Sequence, residues 1–189
     1  MRRFITMLVA TTALSGCSIQ LPFNDRISYQ SEKEILSQVD KIDYSVNIVW
    51  SPDNFTRMFE TKGSSGFVGS GTRTRIPTGY ALSSRIEEAI NTYAEFNPNS
   101  ERIYFYVEGA SSEFEFSANA PFTANMELDH GYANLKVTIK YNDRSITKEY
   151  QAEKIAKDGK TLSQTGVLEA AWDDIAVQVA MDVYRLISR

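Results

Sequence analysis

Hydrophobic and polar positions change their period several times along this chain, and each period predicts an element. Phe4 to Leu14 is a mostly apolar run between the basic start Arg2-Arg3 and the small residues Ser15 and Gly16. No sustained period occurs over Ser18 to Gln30, which contains Pro22, Asn24 and Asp25. Ser31 followed by Glu34 fits a capping box and predicts a short helix through Val39. Ile42, Tyr44, Val46, Ile48 and Trp50 then alternate with Asp43, Ser45, Asn47 and Val49, the period of a half-buried strand. From Ser51 to Thr78 the pattern weakens around a glycine-rich centre. Leu82, Ile86, Ala89, Ile90 and Tyr93 next mark one face of a helix, with Ser84, Glu88, Asn91 and Glu95 on the other, until Asn97-Pro98 stops it.

Strands dominate the stretch from Arg102 to Glu153. Arg102 to Glu108 and Glu113 to Ala118 read as two strands joined by a hairpin loop, Gly109-Ala110-Ser111-Ser112. Met126 to Asp129 fits part of a further strand. Leu135, Val137, Ile139 and Tyr141 alternate with lysine and threonine, and Asn142-Asp143 turns the chain into a strand ending near Glu153. Leu168, Trp172, Ile175, Val179, Val183 and Leu186 form a helical stripe over 167–187, opposite Asp174, Gln178 and Arg185. That polar side excludes a membrane span, so the helix is expected to lie across the sheet. The order predicts an α+β two-layer sandwich: an antiparallel sheet of about four to five strands with two main helices on one face. No repeat and no second linker divides residues 31–189, which read as a single domain.

Composition narrows the function classes. Of 189 residues 42% are hydrophobic, enough for a packed core, and the formal net charge is −4. That charge argues against nucleic acid as a partner, since phosphate neutralisation needs a basic stripe. One cysteine excludes an intramolecular disulfide and any multi-cysteine metal site, and one histidine excludes two-histidine zinc motifs. No metal and no cofactor is expected.

The first residues supply an address. A basic start, a short apolar run and small residues at its exit are the parts of an export signal over 1–16. The run is too short for a spanning helix, which needs about 20 residues. The exit Leu14-Ser15-Gly16-Cys17 resembles the lipobox of bacterial lipoproteins. The resemblance implies diacylglyceryl on the Cys17 thiol, cleavage just before it and acylation of the new amino terminus, for instance by palmitate. An ordinary cleaved signal with a chance cysteine at its end is the plainer alternative. Ser18, rather than Asp, after the cysteine implies transfer to the outer membrane, with the body in the periplasm. In a source without an outer membrane the same anchor would hold it on the cell membrane. Cleavage removes Arg2 and Arg3 and no acid, so the net charge of −4 becomes −6. Such a body gains nothing from anionic headgroups and is expected to stand off the bilayer on a lipidated tether over 17–30.

Three features are candidates for chemistry or recognition. Gly63-Ser64-Ser65-Gly66-Phe67-Val68-Gly69-Ser70-Gly71 precedes Arg73 and Arg75 and a helix start near Thr78. Freed amides, two guanidinium groups and a helix N-terminus suit an anion, with Gly66, Gly69, Arg73 and Arg75 as its ligands. The stretch matches no phosphate-loop motif, so its signal is weak, and a flexible loop or twisted hairpin without a ligand is the plainer reading. Second, Ile103-Tyr104-Phe105-Tyr106-Val107 is apolar on both strand faces, leaving Tyr104 and Tyr106 for a loop, solvent or a partner. Third come the acidic pairs Glu87/Glu88, Glu113/Glu115 and Asp173/Asp174. Adjacent helix residues diverge, and Glu113 and Glu115 alternate with phenylalanines as a solvated side does, so no catalytic pair is expected. His130, between Asp129 and Gly131, reads as a solvated turn histidine that would need distant partners to hold a metal.

As a whole the chain is similar to small accessory lipoproteins of envelope assembly and transport systems, a likeness carried by the lipobox and the α+β architecture. It implies a non-enzymatic, lipid-anchored component that binds another envelope protein. The alternative is binding or sensing of an anionic envelope molecule, a lipid headgroup or cell-wall fragment, through the glycine-rich loop and Arg73/Arg75.

Overall fold

A computed structural model describes residues 18–20, 23–43, 45–58, 60–63, 73–115, 130–155 and 164–188. In chain order the elements are β1 (Ser18–Gln20), α1 (Tyr29–Leu36), β2 (Ser45–Ser51), α2 (Phe55–Met58), β3 (Glu60–Gly63) and β4 (Arg73–Pro77). They continue with α3 (Thr78–Asn91), β5 (Glu95–Phe96), β6 (Glu101–Glu115), β7 (His130–Tyr141), β8 (Arg144–Ile155) and α4 (Gln164–Ile187).

The expected two-layer α+β sandwich is present. A five-stranded sheet runs β5-β2-β6-β7-β8; α3 and α4 cover one of its faces, and α1 packs against those two helices. β6, β7 and β8 are antiparallel neighbours, but β2 lies parallel to both β5 and β6. The segment between β2 and β6 contains α3, and a parallel neighbour requires such a crossover. A small second sheet, β1-β4-β3, pairs β1 parallel and β3 antiparallel to β4.

One core sits between the layers. Val46 and Trp50 of β2, Ile103 and Phe105 of β6, and Leu135, Val137 and Ile139 of β7 are buried against Leu82, Ile86 and Ile90 of α3. The predicted stripe of α4 is buried throughout, from Leu168 and Trp172 to Val183 and Leu186. Trp50 packs against Phe105 with ring centroids 4.5 Å apart and against Phe55 at 5.2 Å. Gly131 lets β7 approach α4: a Cβ there would stand 2.7 Å from backbone atoms of Val167 and Leu168.

Local details differ from expectation at several points. The expected hairpin at Gly109-Ala110-Ser111-Ser112 is absent, because β6 is one 15-residue strand. Its register against β7 shifts between Val107 and Gly109, a bulge that leaves Glu108 as the extra residue. Inward positions are therefore odd-numbered before it (Ile103, Phe105) and even-numbered after it (Ser112, Phe114). The first helix begins earlier than the Ser31/Glu34 box implied. Ser28 is its N-cap and accepts from the Ser31 amide, while Ser31 itself is buried. The turn at Asn142-Asp143 is as expected, with Asn142 in the left-handed region at φ 50°. The region between Ser51 and Thr78 holds α2, β3 and β4 in its described parts.

Phe23 to Gln30, expected as part of a free tether, lies against α3 and α4. The Asn24 amide donates to Glu169 Oε1 at 2.8 Å, Ile27 to Glu88 Oε2 at 2.7 Å and Ser28 to Asp173 Oδ2 at 3.0 Å. Ile27 is buried. Among the described residues no helix is long and apolar enough to cross a membrane.

Candidate functional site

The face of the five-stranded sheet turned away from the helices carries the candidate tyrosines Tyr104 and Tyr106. Alternation along β6 sends Ile103 and Phe105 into the core and leaves Arg102, Tyr104, Tyr106 and Glu108 on the other side. The register adds Asn47 and Val49 from β2, Lys136, Thr138 and Lys140 from β7, and Ser145, Thr147 and Glu149 from β8. Most of these side chains are exposed, Tyr106 at 41%.

Polar groups on this face largely satisfy one another. Lys136 Nζ stands 2.7 Å from Glu108 Oε2, and Thr138 Oγ1 donates to Glu108 Oε1 at 3.2 Å. Asn134 Nδ2 and Gln151 Nε2 both donate to Glu149 Oε1, at 2.6 and 3.0 Å. Hydrogen bonding to Lys136 holds Glu108 below the usual carboxylate range, and bonds from Asn134 and Gln151 do the same for Glu149. Beside these ladders, toward β2, Tyr104 and Tyr106 present a different surface. Their rings lie stacked, 5.9 Å between centroids at 14°. Val49 is the cross-strand neighbour of Tyr104 on one side and Lys140 on the other. A hydrogen bond to Tyr104 raises the Arg102 guanidinium's already high pKa. Such a flat, rigid and amphipathic patch suits protein contact.

The other candidates fall in different places. Cys17, Gly66 and Gly69 lie outside the described residues, as does the strand segment Met126 to Asp129. Arg73 and Arg75 occupy positions two apart on β4, so they share one face of the small sheet. Lys62 pairs with Arg75 across β3, and Ser18 and Gln20 pair with Arg73 and Arg75 across β1. The structure does not bring these basic positions to the tyrosine patch's strands: they belong to another sheet. His130 opens β7 rather than sitting in a turn, because it pairs with Ile155 and Glu115. Its Nδ1 is 3.0 Å from Glu153 Oε1 and 3.1 Å from the Tyr132 hydroxyl. No cluster of metal-ligating side chains occurs among the described residues.

The helical acidic pairs take structural partners and do not converge. Glu87 accepts from Trp50 Nε1 at 2.6 Å, and burial raises its pKa more than that bond lowers it. Glu88 and Asp173 hold the backbone of Ile27 and Ser28. Asp174 pairs with Lys154 at 2.5 Å. Asp182, which periodicity does not single out, accepts from Lys148 Nζ at 2.8 Å, the Tyr150 hydroxyl at 3.0 Å and Arg185 at 2.9 Å. Arg85 is a second such residue. It stands on the buried face of α3 among Leu82, Ile86 and Ala89, and a basic residue in an apolar stripe is the signal that marks it.

No protein-family model matches the chain, and no curated protein matches it. Solved structures do. A protein from Xanthomonas campestris described as family DUF330 aligns at a TM-score of 0.44 with 10% identity, covering 88% of this chain and 92% of that one. The rare lipoprotein B from Shewanella oneidensis aligns at a TM-score of 0.33 with 11% identity, covering 67% of this chain and 92% of that one.

Proposed function

We propose that this chain is a non-enzymatic lipoprotein of the bacterial envelope, anchored by lipid on Cys17 at the periplasmic face of the outer membrane. Its role is to dock another envelope protein on the open face of the five-stranded sheet. The observation that carries the docking surface is the stacked pair Tyr104/Tyr106, with Tyr106 exposed, beside polar ladders that already satisfy themselves. Anchoring confines protein and partner to one membrane and raises their effective concentration, so a patch of modest area suffices. Tyrosine rings supply contact area at low entropy cost, and Lys140 and Arg102 beside them favour an acidic rim on the partner.

The test is positional crosslinking in cells. A photoreactive residue at Tyr106 should give a discrete adduct that disappears with Tyr104→Ser, while the same residue at exposed Leu36 of α1 gives none. Equal adducts at both positions, or none at Tyr106, would dispose of this surface. Cys17→Ala should abolish fatty-acid labelling and membrane fractionation; unchanged labelling would remove the anchor from the proposal.

A further inference from the structure

We propose that the end of the open sheet face far from Tyr104 holds a guanidinium site, a cavity of about 410 Å³ that receives an arginine side chain of the docked partner. The occupant rests on the docking reading above, while the chemistry of the cavity stands on its own geometry. One cross-strand row builds its wall: Glu113 of β6, Tyr132 of β7 and Glu153 of β8 are register partners. The bulge at Glu108 makes that row possible. Beyond it Ser112 and Phe114 turn inward, so Ser111 and Glu113 join the open face. The two carboxylates flank the tyrosine from strands about 10 Å apart.

Two observations select the ligand. His130 stacks on one face of the Tyr132 ring, 5.8 Å between centroids at 18°. The cavity residues Ser111, Asn134 and Gln151 form the row on the other side of Tyr132, so the opposite ring face is the one turned to the cavity. A cation over that face is attracted by the ring's quadrupole and by the carboxylates on either side. The lining is also rich in acceptors. Asn134 Nδ2 and Gln151 Nε2 are both turned to Glu149 Oε1, at 2.6 and 3.0 Å, which leaves their carbonyl oxygens as the ends that meet a ligand. Arginine answers such a lining with five N–H donors, no acceptor and a planar group that stacks on an aromatic ring. An anion would face two like charges, and a saccharide brings no charge to match them.

Placement gives the face a direction. Tyr132 lies eight residues along β7 from Lys140, about 26 Å. The face therefore runs from a basic end at Arg102 and Lys140 to an acidic end at Glu113 and Glu153. A partner with its acidic and basic groups in the reverse order docks in one orientation.

The experiment titrates the isotope-labelled whole chain in neutral detergent with N-acetyl-arginine amide and with N-acetyl-citrulline amide, its uncharged near-isostere. Backbone amide resonances are followed by NMR. The arginine probe should shift Tyr132, Asn134 and Glu153 saturably with a Kd of about 1–10 mM, and the citrulline probe should bind at least about tenfold more weakly. Arg102 and Lys140 should not move. Glu113→Gln with Glu153→Gln should weaken the arginine probe about tenfold; if that variant folds poorly, the two probes on the unsubstituted chain decide the matter. Equal response to both probes, arginine shifts spread over the acidic surface, or a response of these amides to N-acetylglucosamine alone would overturn the guanidinium site. In cells, Glu113→Arg with Glu153→Arg should cut the Tyr106 crosslinking adduct about fivefold. An undiminished adduct would remove the partner's arginine from the cavity. No Tyr106 adduct in the unsubstituted chain, with the arginine probe still bound, would overturn the docking reading and leave the site itself standing.

Discussion

Arg85 Nε donates to Asp173 Oδ1 at 2.9 Å, and the two side chains are 1% and 9% exposed. The pair joins α3 to α4, and both partners also reach the segment that precedes and opens α1. Asp173 Oδ2 accepts from the Ser28 amide and, at 3.4 Å, from the Ser31 hydroxyl, while Arg85 donates to the carbonyls of Ala81 and Asn24. The guanidinium also lies over the Trp172 ring at 5.1 Å, and Trp172 in turn donates to Ser112 Oγ on β6. One buried ion pair thus ties both long helices, the sheet and the segment that leads into α1.

Removing either partner leaves the other charge buried. Asp173→Ala or Arg85→Ala should each cost about 3–5 kcal/mol in urea unfolding. Arg85→Met with Asp173→Leu should cost clearly less than the two singles added, because no charge is stranded. Tryptic cleavage after exposed Arg26 should also quicken in the single variants, since the 23–31 segment loses its fastening. Global unfolding without that local gain would assign the pair to the core alone.

Gly131 offers a steric prediction. A methyl at this position meets the backbone of Val167 and Leu168 at 2.7 Å, and backbone cannot rotate away as a side-chain tip does. Gly131→Ala should therefore push β7 from α4 and cost about 1–3 kcal/mol by thermal or urea unfolding. Gly109 is the control, since a Cβ there meets nothing within 4 Å.

What could be read along the chain was periodic and local. The stripe of α4, the apolar face of α3 and the β7-β8 hairpin were legible because each is a run of one uninterrupted period with a recognisable end. β6 reads wrongly as a hairpin because the bulge at Glu108 reverses the inward phase, and a phase reversal beside glycine and serines looks like a turn. The start of the first helix is ambiguous because both Ser28 and Ser31 can cap, and only the contact of the Ser31 hydroxyl with buried Asp173 explains why Ser31 went inside. The small sheet was not legible, since pairing β1 with β4 joins residues far apart in sequence. Of the recognition surface, Tyr104 and Tyr106 were visible as a strand apolar on both faces. The ladders beside them depend on cross-strand register, which periodicity does not supply.

Tyr150 and Asp182 give the fold a pH dependence at both extremes. Burial, then the Asp182 charge beside it, pushes the Tyr150 phenol far above its ordinary value of about 10. A group with a raised folded pKa contributes stability below its unfolded pKa and loses it as pH climbs toward the folded one, so stability should fall above about pH 10. Burial alone would raise Asp182, but hydrogen bonds from Lys148 and Tyr150 and the charges of Lys148 and Arg185 outweigh it and hold the carboxyl below its usual range. Its contribution is present above about pH 4 and is lost as pH drops through the folded value. Tyr150→Phe should flatten the alkaline limb of a stability-against-pH curve, and Asp182→Asn the acid limb. A curve unchanged by both would remove this cluster as the cause.

Glu87 points the other way and identifies a site where the natural residue is not the most stable. Its carboxylate accepts from the Trp50 indole while half-buried beside the core, and burial, partly countered by that bond, raises its pKa. An acid with a raised folded pKa stabilises the fold when protonated and loses that contribution as pH rises through the folded value. Gln keeps a carbonyl oxygen for Trp50 Nε1 and carries no charge to desolvate. Glu87→Gln should therefore stabilise the fold at pH 7 by up to about 1 kcal/mol in urea unfolding. The gain should shrink toward pH 4, where Glu87 is itself neutral. Destabilisation at pH 7 would mean that the charged bond to Trp50 outweighs burial, reversing the order of the two effects.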